Sequence, residues 1–333
     1  MTIRFGVLGA GRIGRVHSRA VAATPGASLV AIADPIAAAA QDIAAMYGCD
    51  IRSIDAILTS PDVDAVVICT PTDTHADLIE RFCTAGKAVF CEKPIDLSLT
   101  RVSACLKVVA ATKGTLMVGF NRRFDPDFMA VKAGIDAGRI GEVEMITITS
   151  RDPGAPPADY IKRSGGIFRD MTIHDFDMAR WLLGEEVETV IASASVLTDK
   201  DIGTLGDYDS VNVILRTATG KQAIITNSRR ATYGYDQRIE VLGSKGMLAA
   251  QNQSENRVTF ADAEGFHDAP LLNFFMTRYI AAYANEIASF VASVEGGTPT
   301  ATTGHDGMMA LALAEAALKS VAEGRAVKLT ELS

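Results

Sequence analysis

The chain of 333 residues contains no apolar run near the ~18 residues that a membrane helix needs, and its start shows no basic-then-apolar leader. It therefore reads as neither membrane-embedded nor exported. Basic residues are in deficit, 32 Lys and Arg against 40 Asp and Glu, a net charge of −8, and they form no cluster. Nucleic acid is accordingly not an expected partner. Cysteine is sparse and odd in number: Cys49, Cys69, Cys83, Cys91 and Cys105, with no C-x-x-C pair. A disulfide framework is not indicated. Cys69 and Cys91 sit in apolar runs, where the thiol acts as a small hydrophobe, and a reducing cytoplasm is the simplest setting. Internal repeats and low-complexity tracts are absent too. A match to a glycosylation sequon, Asn252-Gln253-Ser254, reads as chance in a chain without a leader. Charged residues make up 22% and hydrophobic ones 48%, which argues against disorder.

What is present is concentrated first in residues 1–34. The apolar run Ile3–Leu8 enters Gly9-Ala10-Gly11-Arg12-Ile13-Gly14, then a helical segment, then Leu29–Ala33 ending in Asp34. Strand, glycine turn, helix, strand and acid follow in the order of a dinucleotide-binding unit. Gly9 permits the tight turn, Gly11 lets backbone N–H groups approach a pyrophosphate, and Gly14 lets the helix pack on the strand. The positive helix end, with Arg12 and Ile13 in its first turn, then faces the phosphates. Asp34, twenty residues beyond Gly14, is placed to accept hydrogen bonds from ribose hydroxyls. The residues after it are Pro35-Ile36-Ala37, with no base for a 2′-phosphate, so NAD is expected over NADP.

Strand and helix signals alternate through residue ~120, which predicts a doubly wound parallel sheet. Strands are expected at Arg4–Leu8, Leu29–Ala33, Ala65–Cys69, Ala88–Cys91 and Leu116–Gly119, and helices at Ile36–Met46, Thr72–Ala85 and Leu99–Thr112. Beyond Phe120 the pattern changes. A helix over Asp127–Ala137 precedes β-branched runs at Val143–Ser150, Val187–Val196, Val211–Leu215, Ala223–Thr226, Ile239–Leu242 and Arg257–Phe260, which predict a largely antiparallel sheet. Helices are expected at Ile173–Leu183, Tyr279–Val294 and Gly307–Ala322, and Pro153-Gly154-Ala155-Pro156-Pro157 marks a loop. The reading gives two domains, residues 1–122 for dinucleotide binding and residues 123–333 for substrate binding and oligomerisation.

Two further constellations could carry chemistry. Cys91-Glu92-Lys93-Pro94 ends a predicted strand, at the edge where open α/β sheets bind ligands. There the Lys93 ammonium either donates to a substrate oxygen or snorkels to water. Asp170-Met171-Thr172-Ile173-His174-Asp175-Phe176-Asp177 places Asp170 and His174 four apart, on one face of any helix that begins there. An imidazole oriented by a carboxylate can take a proton from an alcohol. Alternatively the stretch is a helix N-terminus, with Asp170 or Thr172 as cap and Asp175 and Asp177 favouring the dipole. With no third ligand nearby, no metal is expected. His17 and His267 read as surface or helix histidines without a role.

The succession GAGRIG, CTPTDTH (Cys69–His75), EKP (Glu92–Pro94), GFNRRFDPDF (Gly119–Phe128) and GGIFRDMTIHDFDMARWLLG (Gly165–Gly184) resembles the Gfo/Idh/MocA oxidoreductases over essentially the whole chain. Tyr233-Gly234-Tyr235-Asp236-Gln237-Arg238-Ile239-Glu240-Val241, followed by Gly243, is similar to the inositol 2-dehydrogenase branch. The resemblance implies an α/β fold: an N-terminal Rossmann domain and a C-terminal α/β domain with a large, mostly antiparallel open sheet, assembling as a dimer or tetramer. It implies that Lys93, Asp170 and His174 are catalytic. Thr70, Pro71, His75, Glu92, Lys93 and Arg123 join the glycine turn and Asp34 in binding NAD, and Asn121 and Arg123 line the substrate pocket. Further polar candidates for a polyol are Arg151, Asp152, Tyr233, Tyr235 and His305, the tyrosines serving equally as strand packing. The implied reaction is NAD-dependent oxidation of a cyclic polyol, myo-inositol to 2-keto-myo-inositol. The alternatives are the same chemistry on scyllo-inositol or an aldose, and an NAD-sensing regulator without turnover.

Overall fold

The computed structural model describes residues 2–332. They form two compact units, one running to Asp125 and including Ile280–Leu311, the other Pro126–Tyr279 with the segment from Ala312 onward. The return of 280–311 to the first unit has a local cause. Val118 donates its N–H to Thr302 O (3.0 Å), and the Thr300 and Thr302 hydroxyls donate to the carbonyls of Leu116 and Val118.

The first unit is built on six parallel strands, β1 (Ile3–Leu8), β2 (Ala27–Ala33), β3 (Asp50–Ile51), β4 (Ala65–Ile68), β5 (Ala88–Glu92) and β6 (Leu116–Gly119), in the order β3-β2-β1-β4-β5-β6. The connecting helices include α1 (Arg12–Ala23), α2 (Ala37–Tyr47), α3 (Ile54–Thr59), α4 (His75–Thr84) and α5 (Leu99–Thr112). All four residues of β4 and of β6 are buried, as expected of strands covered on both faces. Strand order reverses between β1 and β4, which opens a crevice beyond their carboxyl ends. The helix Ile280–Gly296 belongs to this unit; its Phe290 meets the rings of Phe5 and Phe90.

The second unit opens with α6 (Pro126–Asp136) and β7 (Val143–Arg151), followed by α7 (Ala158–Ser164), α8 (Ile167–Asp170) and α9 (Thr172–Leu183). Then come β8 (Val187–Ser195), β9 (Ser210–Thr217), β10 (Gln222–Ser228), β11 (Asp236–Gly243), β12 (Gly246–Ala250), β13 (Thr259–Asp262), β14 (Gly265–Asp268) and β15 (Val327–Lys328). Seven of these strands form one sheet in the order β12-β11-β7-β10-β9-β8-β15. Only β7 and β10 pair in parallel; the other neighbours are antiparallel. The run expected at Arg257–Phe260 lies in part in β13, which leaves the large sheet and forms a separate hairpin with β14.

In the large sheet β9 and β10 alternate between buried and less buried residues, the pattern of strands with one covered face, and α9 packs against β7 and β10. Its other face presents Ile191, Ile214 and Ile224, 46%, 40% and 44% exposed, in direct register across β8, β9 and β10.

Candidate active site

In the first unit the glycine turn has little freedom. Gly9 adopts φ +101°, and a Cβ there would lie 2.6 Å from Cys69 O. A Cβ on Gly14 would stand 2.0 Å from Gly9 O, so only glycine lets α1 start this close to β1. At Gly11 an added Cβ would meet nothing within 4 Å, leaving its backbone open to an incoming group. The first turn of α1 carries neither an acidic residue nor a side-chain cap. Its N–H groups and its positive end are thus available to an anion. Asp34 accepts the N–H of Ala10 at Oδ2 (2.6 Å) and that of Ile36 at Oδ1 (2.7 Å), which locks its carboxylate beside the turn. These features fit the pyrophosphate and ribose of a dinucleotide.

Beyond β4, the hydroxyls of Thr70 and Thr74 share a hydrogen bond of 2.6 Å. His75 is buried, with Nε2 2.8 Å from Thr70 O and Nδ1 2.8 Å from Pro94 O. Burial lowers its pKa, against the opposite pull of the two carbonyls. Beyond β5, Glu92 is buried, and its Oε1 lies 2.6 Å from Nε2 of His17 on α1. Lys93 follows, half-buried, its backbone N–H donating to Glu92 Oε2 (3.3 Å). Of the two readings for His17, surface or helix, the helical one holds: it lies in α1, on the buried side. It is 0% exposed, packed between Phe90 and Tyr283. Asn121 is buried after β6, and Arg123 is committed to Asp306, with Nη2–Oδ1 at 2.9 Å. The carboxyl of Asp306 would rise on burial, but the Arg123 guanidinium and the Thr303 N–H and hydroxyl hold it at about 2. His305 is exposed.

In the second unit Asp170 and His174 do not share one helix. Asp170 closes α8, Met171 intervenes, and His174 lies in the first turn of α9. Asp170 Oδ1 accepts the Tyr160 hydroxyl (2.7 Å), and Oδ2 lies 3.6 Å from Arg229 Nη1. Arg229 is buried and also reaches Asp207 Oδ2 (3.4 Å), whose Oδ1 accepts the Ile167 N–H (2.9 Å). Gly166, at φ +84°, makes room for this arrangement, since a Cβ there would stand 2.7 Å from Asp207 Oδ1. The side-chain cap considered for this stretch is not realised, since no side chain caps α9, but Asp175 does stand in the first turn of that helix; Asp175 and Asp177 are both fully buried. Asp175 accepts from Ser150 Oγ (2.6 Å) and Asn227 Nδ2 (2.8 Å), tying α9 to β7 and β10.

Arg151, at the end of β7, donates to the Tyr233 hydroxyl (2.8 Å), which itself donates to Asp236 (2.6 Å). Asp236 is fully buried and also accepts from Arg238 and Asn252, and those donors hold its pKa below the ordinary value despite burial. Tyr235 is buried against the rings of Phe274 and Tyr279, so its ring serves packing. Asp152 joins the strand ends through its backbone, donating to Ser228 O and accepting from Ala231 N. Among the described residues, no group of three or more His, Cys, Asp or Glu could hold a metal ion, and no helix is long and apolar enough to cross a membrane.

Residues 3–120 match the oxidoreductase family with the NAD-binding Rossmann fold, and residues 128–249 match the GFO/IDH/MocA C-terminal domain. The chain belongs to the Gfo/Idh/MocA oxidoreductase family. Among its Gfo/Idh/MocA relatives is inositol 2-dehydrogenase of Rhizobium meliloti, 68% identical over 329 residues, covering 99% of this chain and 100% of that protein. Myo-inositol 2-dehydrogenase of Thermotoga maritima is 46% identical over 332 residues, covering 99% of each. The crystal structure of scyllo-inositol dehydrogenase from Lactobacillus casei, with bound NAD(H) and scyllo-inositol, superposes with a TM-score of 0.92 at 30% identity, covering 99% of this chain and 100% of that one.

For a Gfo/Idh/MocA chain, the partners of the motif residues are the part that the sequence did not disclose. His17 was visible in principle. Gly14, His17, Ser18 and Val21 follow helical spacing and are all buried, so position 17 lies on the inward stripe of α1. Tyr160, Asp207 and Arg229 carried no local signal, because they meet Asp170 only through tertiary folding.

Proposed function

We propose that this oxidoreductase converts myo-inositol to 2-keto-myo-inositol, with NAD as hydride acceptor. The observation that carries the reading is full-length identity of 68% to a protein described as inositol 2-dehydrogenase, in a chain that has Lys93, Asp170 and His174. NAD bound at the glycine turn supplies the chemistry of accepting a hydride from the carbinol carbon. The α1 terminus and the Gly9–Gly14 backbone, with Arg12 and Ile13, hold its pyrophosphate, and Asp34 holds a ribose. Thr70 and Pro71 line the same seat. His174 removes the hydroxyl proton. Lys93 donates to the same oxygen and stabilises the negative charge that grows on it. Asp170, steadied by Tyr160 and Arg229, supports the protonated imidazole. Asn121, Arg151 and Tyr233 are assigned to the remaining ring hydroxyls. Arg123 contributes by holding the segment after β6 in place through Asp306.

The apolar row Ile191–Ile214–Ile224 supports assembly as a dimer or tetramer through the large sheet, since an exposed apolar face of this kind is normally covered. The five cysteines are all buried free thiols, which suits a cytoplasmic setting.

The test is NAD reduction, followed spectrophotometrically, against a panel of inositol isomers and aldoses. The expected outcome is the highest kcat/KM with myo-inositol. An aldose as best substrate would reject the substrate, and tight NAD binding without turnover on any of them would favour a regulator. Sedimentation at micromolar concentration is expected to show no monomer.

A further inference from the structure

The peptide that carries Lys93 is held from both sides by buried histidines. On its amino side Glu92 turns Oε2 to the Lys93 N–H (3.3 Å) and Oε1 to His17 Nε2 (2.6 Å). On its carboxyl side the carbonyl of Pro94 lies 2.8 Å from His75 Nδ1, and the other ring nitrogen lies 2.8 Å from Thr70 O, so the single N–H of the neutral ring is shared between these two carbonyl sites. Neither histidine is solvent-facing, at 0% and 2% exposure.

The cost of these placements argues that they serve a purpose. His17 lies on the inward stripe of α1, against Phe90 and Tyr283, where an apolar side chain would pack without penalty. Its Nδ1 finds no hydrogen-bond partner among the described residues. A buried polar atom left in that state costs about 1–3 kcal/mol. What the imidazole gains over an apolar ring or chain is its hydrogen bond to Glu92. Glu92 is itself buried, and Gly119 of the neighbouring strand is closely fitted to it: a Cβ on Gly119 would stand 3.2 Å from its carboxyl carbon. In this setting the carboxylate turns Oε2 to the Lys93 amide.

Each histidine also belongs to a segment that seats the cofactor. His17 is on α1, whose first turn faces the pyrophosphate. His75 begins α4, directly after Thr70–Thr74.

We propose that His17 and His75 are positioning residues for Lys93. They fix its peptide relative to the dinucleotide seat, His17 through the Glu92 carboxylate and His75 through the Pro94 carbonyl. The proposal rests on the reading of Lys93 as the group that meets the substrate oxygen.

The experiment is a double-mutant cycle in the full-length enzyme, with amide exchange at Lys93 as a readout that needs no substrate. His17→Leu is expected to lower kcat about 10- to 100-fold while KM for NAD stays within about threefold, because loss of position affects the reacting end. In a Lys93→Ala background the same substitution is expected to change kcat less than about twofold, since residues acting through one group are not additive. Exchange of the Lys93 amide should accelerate about tenfold or more in His17→Leu. His17→Gln, which retains a donor for Glu92, should restore both readouts toward wild type. The cycle with His75→Leu tests the second flank and substitutes if His17→Leu does not fold. Equal fractional losses with and without Lys93, or a Lys93 amide as protected in the variant as in wild type, would overturn the proposal. A wild-type chain inactive on every inositol, with the exchange result as expected, would overturn the assigned function and uphold the brace.

Discussion

The carboxylate of Asp34 accepts the backbone N–H of Ala10 at 2.6 Å. The acid at the end of β2 is thereby fixed against the first turn of the glycine loop, and its negative charge cannot swing away from a group bound there. A 2′-phosphate would meet that charge with no adjacent base to offset it. NAD should therefore exceed NADP in kcat/KM by at least about 100-fold, a like-charge contact costing several kcal/mol. Asp34→Ala should narrow the ratio, chiefly by weakening NAD. Comparable efficiency with both cofactors in wild type would contradict this.

Lys93→Ala and His174→Ala should each lower kcat by about 10²–10⁴-fold, the usual contribution of a general acid–base group. NAD affinity, measured by fluorescence titration, should change little. A variant that folds and turns over near the wild-type rate would remove its residue from the mechanism.

Asp170 has two partners of different kind, and they should separate experimentally. Tyr160→Phe removes one hydrogen bond at a partly exposed site, so Tm should hold while kcat falls a fewfold, about 1 kcal/mol of transition-state support. Arg229→Met leaves Asp170 and the buried Asp207 without their shared cation, which should destabilise the fold by about 3–5 kcal/mol. Calorimetry with kinetics on both variants reads the contrast, and equal Tm losses would refute it.

Asp209 predicts an acid limit. Burial alone would raise its pKa, but the N–H groups of Leu197, Thr198 and Asp199 and the Ser210 hydroxyl outweigh it and hold the carboxyl at about 2. The unfolded chain binds this proton more tightly, near the ordinary pKa of about 3.9. The associated stability is thus fully present above about pH 4 and is lost as pH falls toward about 2. Asp209→Asn should be less stable than wild type at neutral pH, with the gap closing on acidification. A gap that stays constant from neutral pH to the acid limit would exclude this carboxylate as its source.

Much of the first unit was legible because its signals are local. An apolar run, three glycines and an acid at fixed spacing suffice to order residues 3–34, and Glu92-Lys93-Pro94 announces itself by ending a strand. The second unit was legible as strands but not as a network. Arg229 and Asp207 give no reason, read singly, to be placed with Asp170, and the Met171 break between Asp170 and His174 is invisible to helical spacing. Asp175 and Asp177 resemble helix-start acids by position. Both are buried, and Asp175 is held there by Ser150 and Asn227, which lie far away in sequence. His17 differs from these, since its neighbours on α1 already mark the stripe it occupies.

The return of Ile280–Leu311 to the first unit has a consequence for synthesis. The dinucleotide-binding segment leaves the ribosome first, yet the helix that supplies Tyr283 and Phe290 is made only after the whole of β7–β14. Until then His17, Phe5 and Phe90 lack part of their cover. The nascent chain must carry an unfinished cofactor domain through most of its translation. That exposed core is the surface on which a chaperone would act, and a truncation before residue 280 should yield an aggregating fragment rather than a free-standing NAD-binding module.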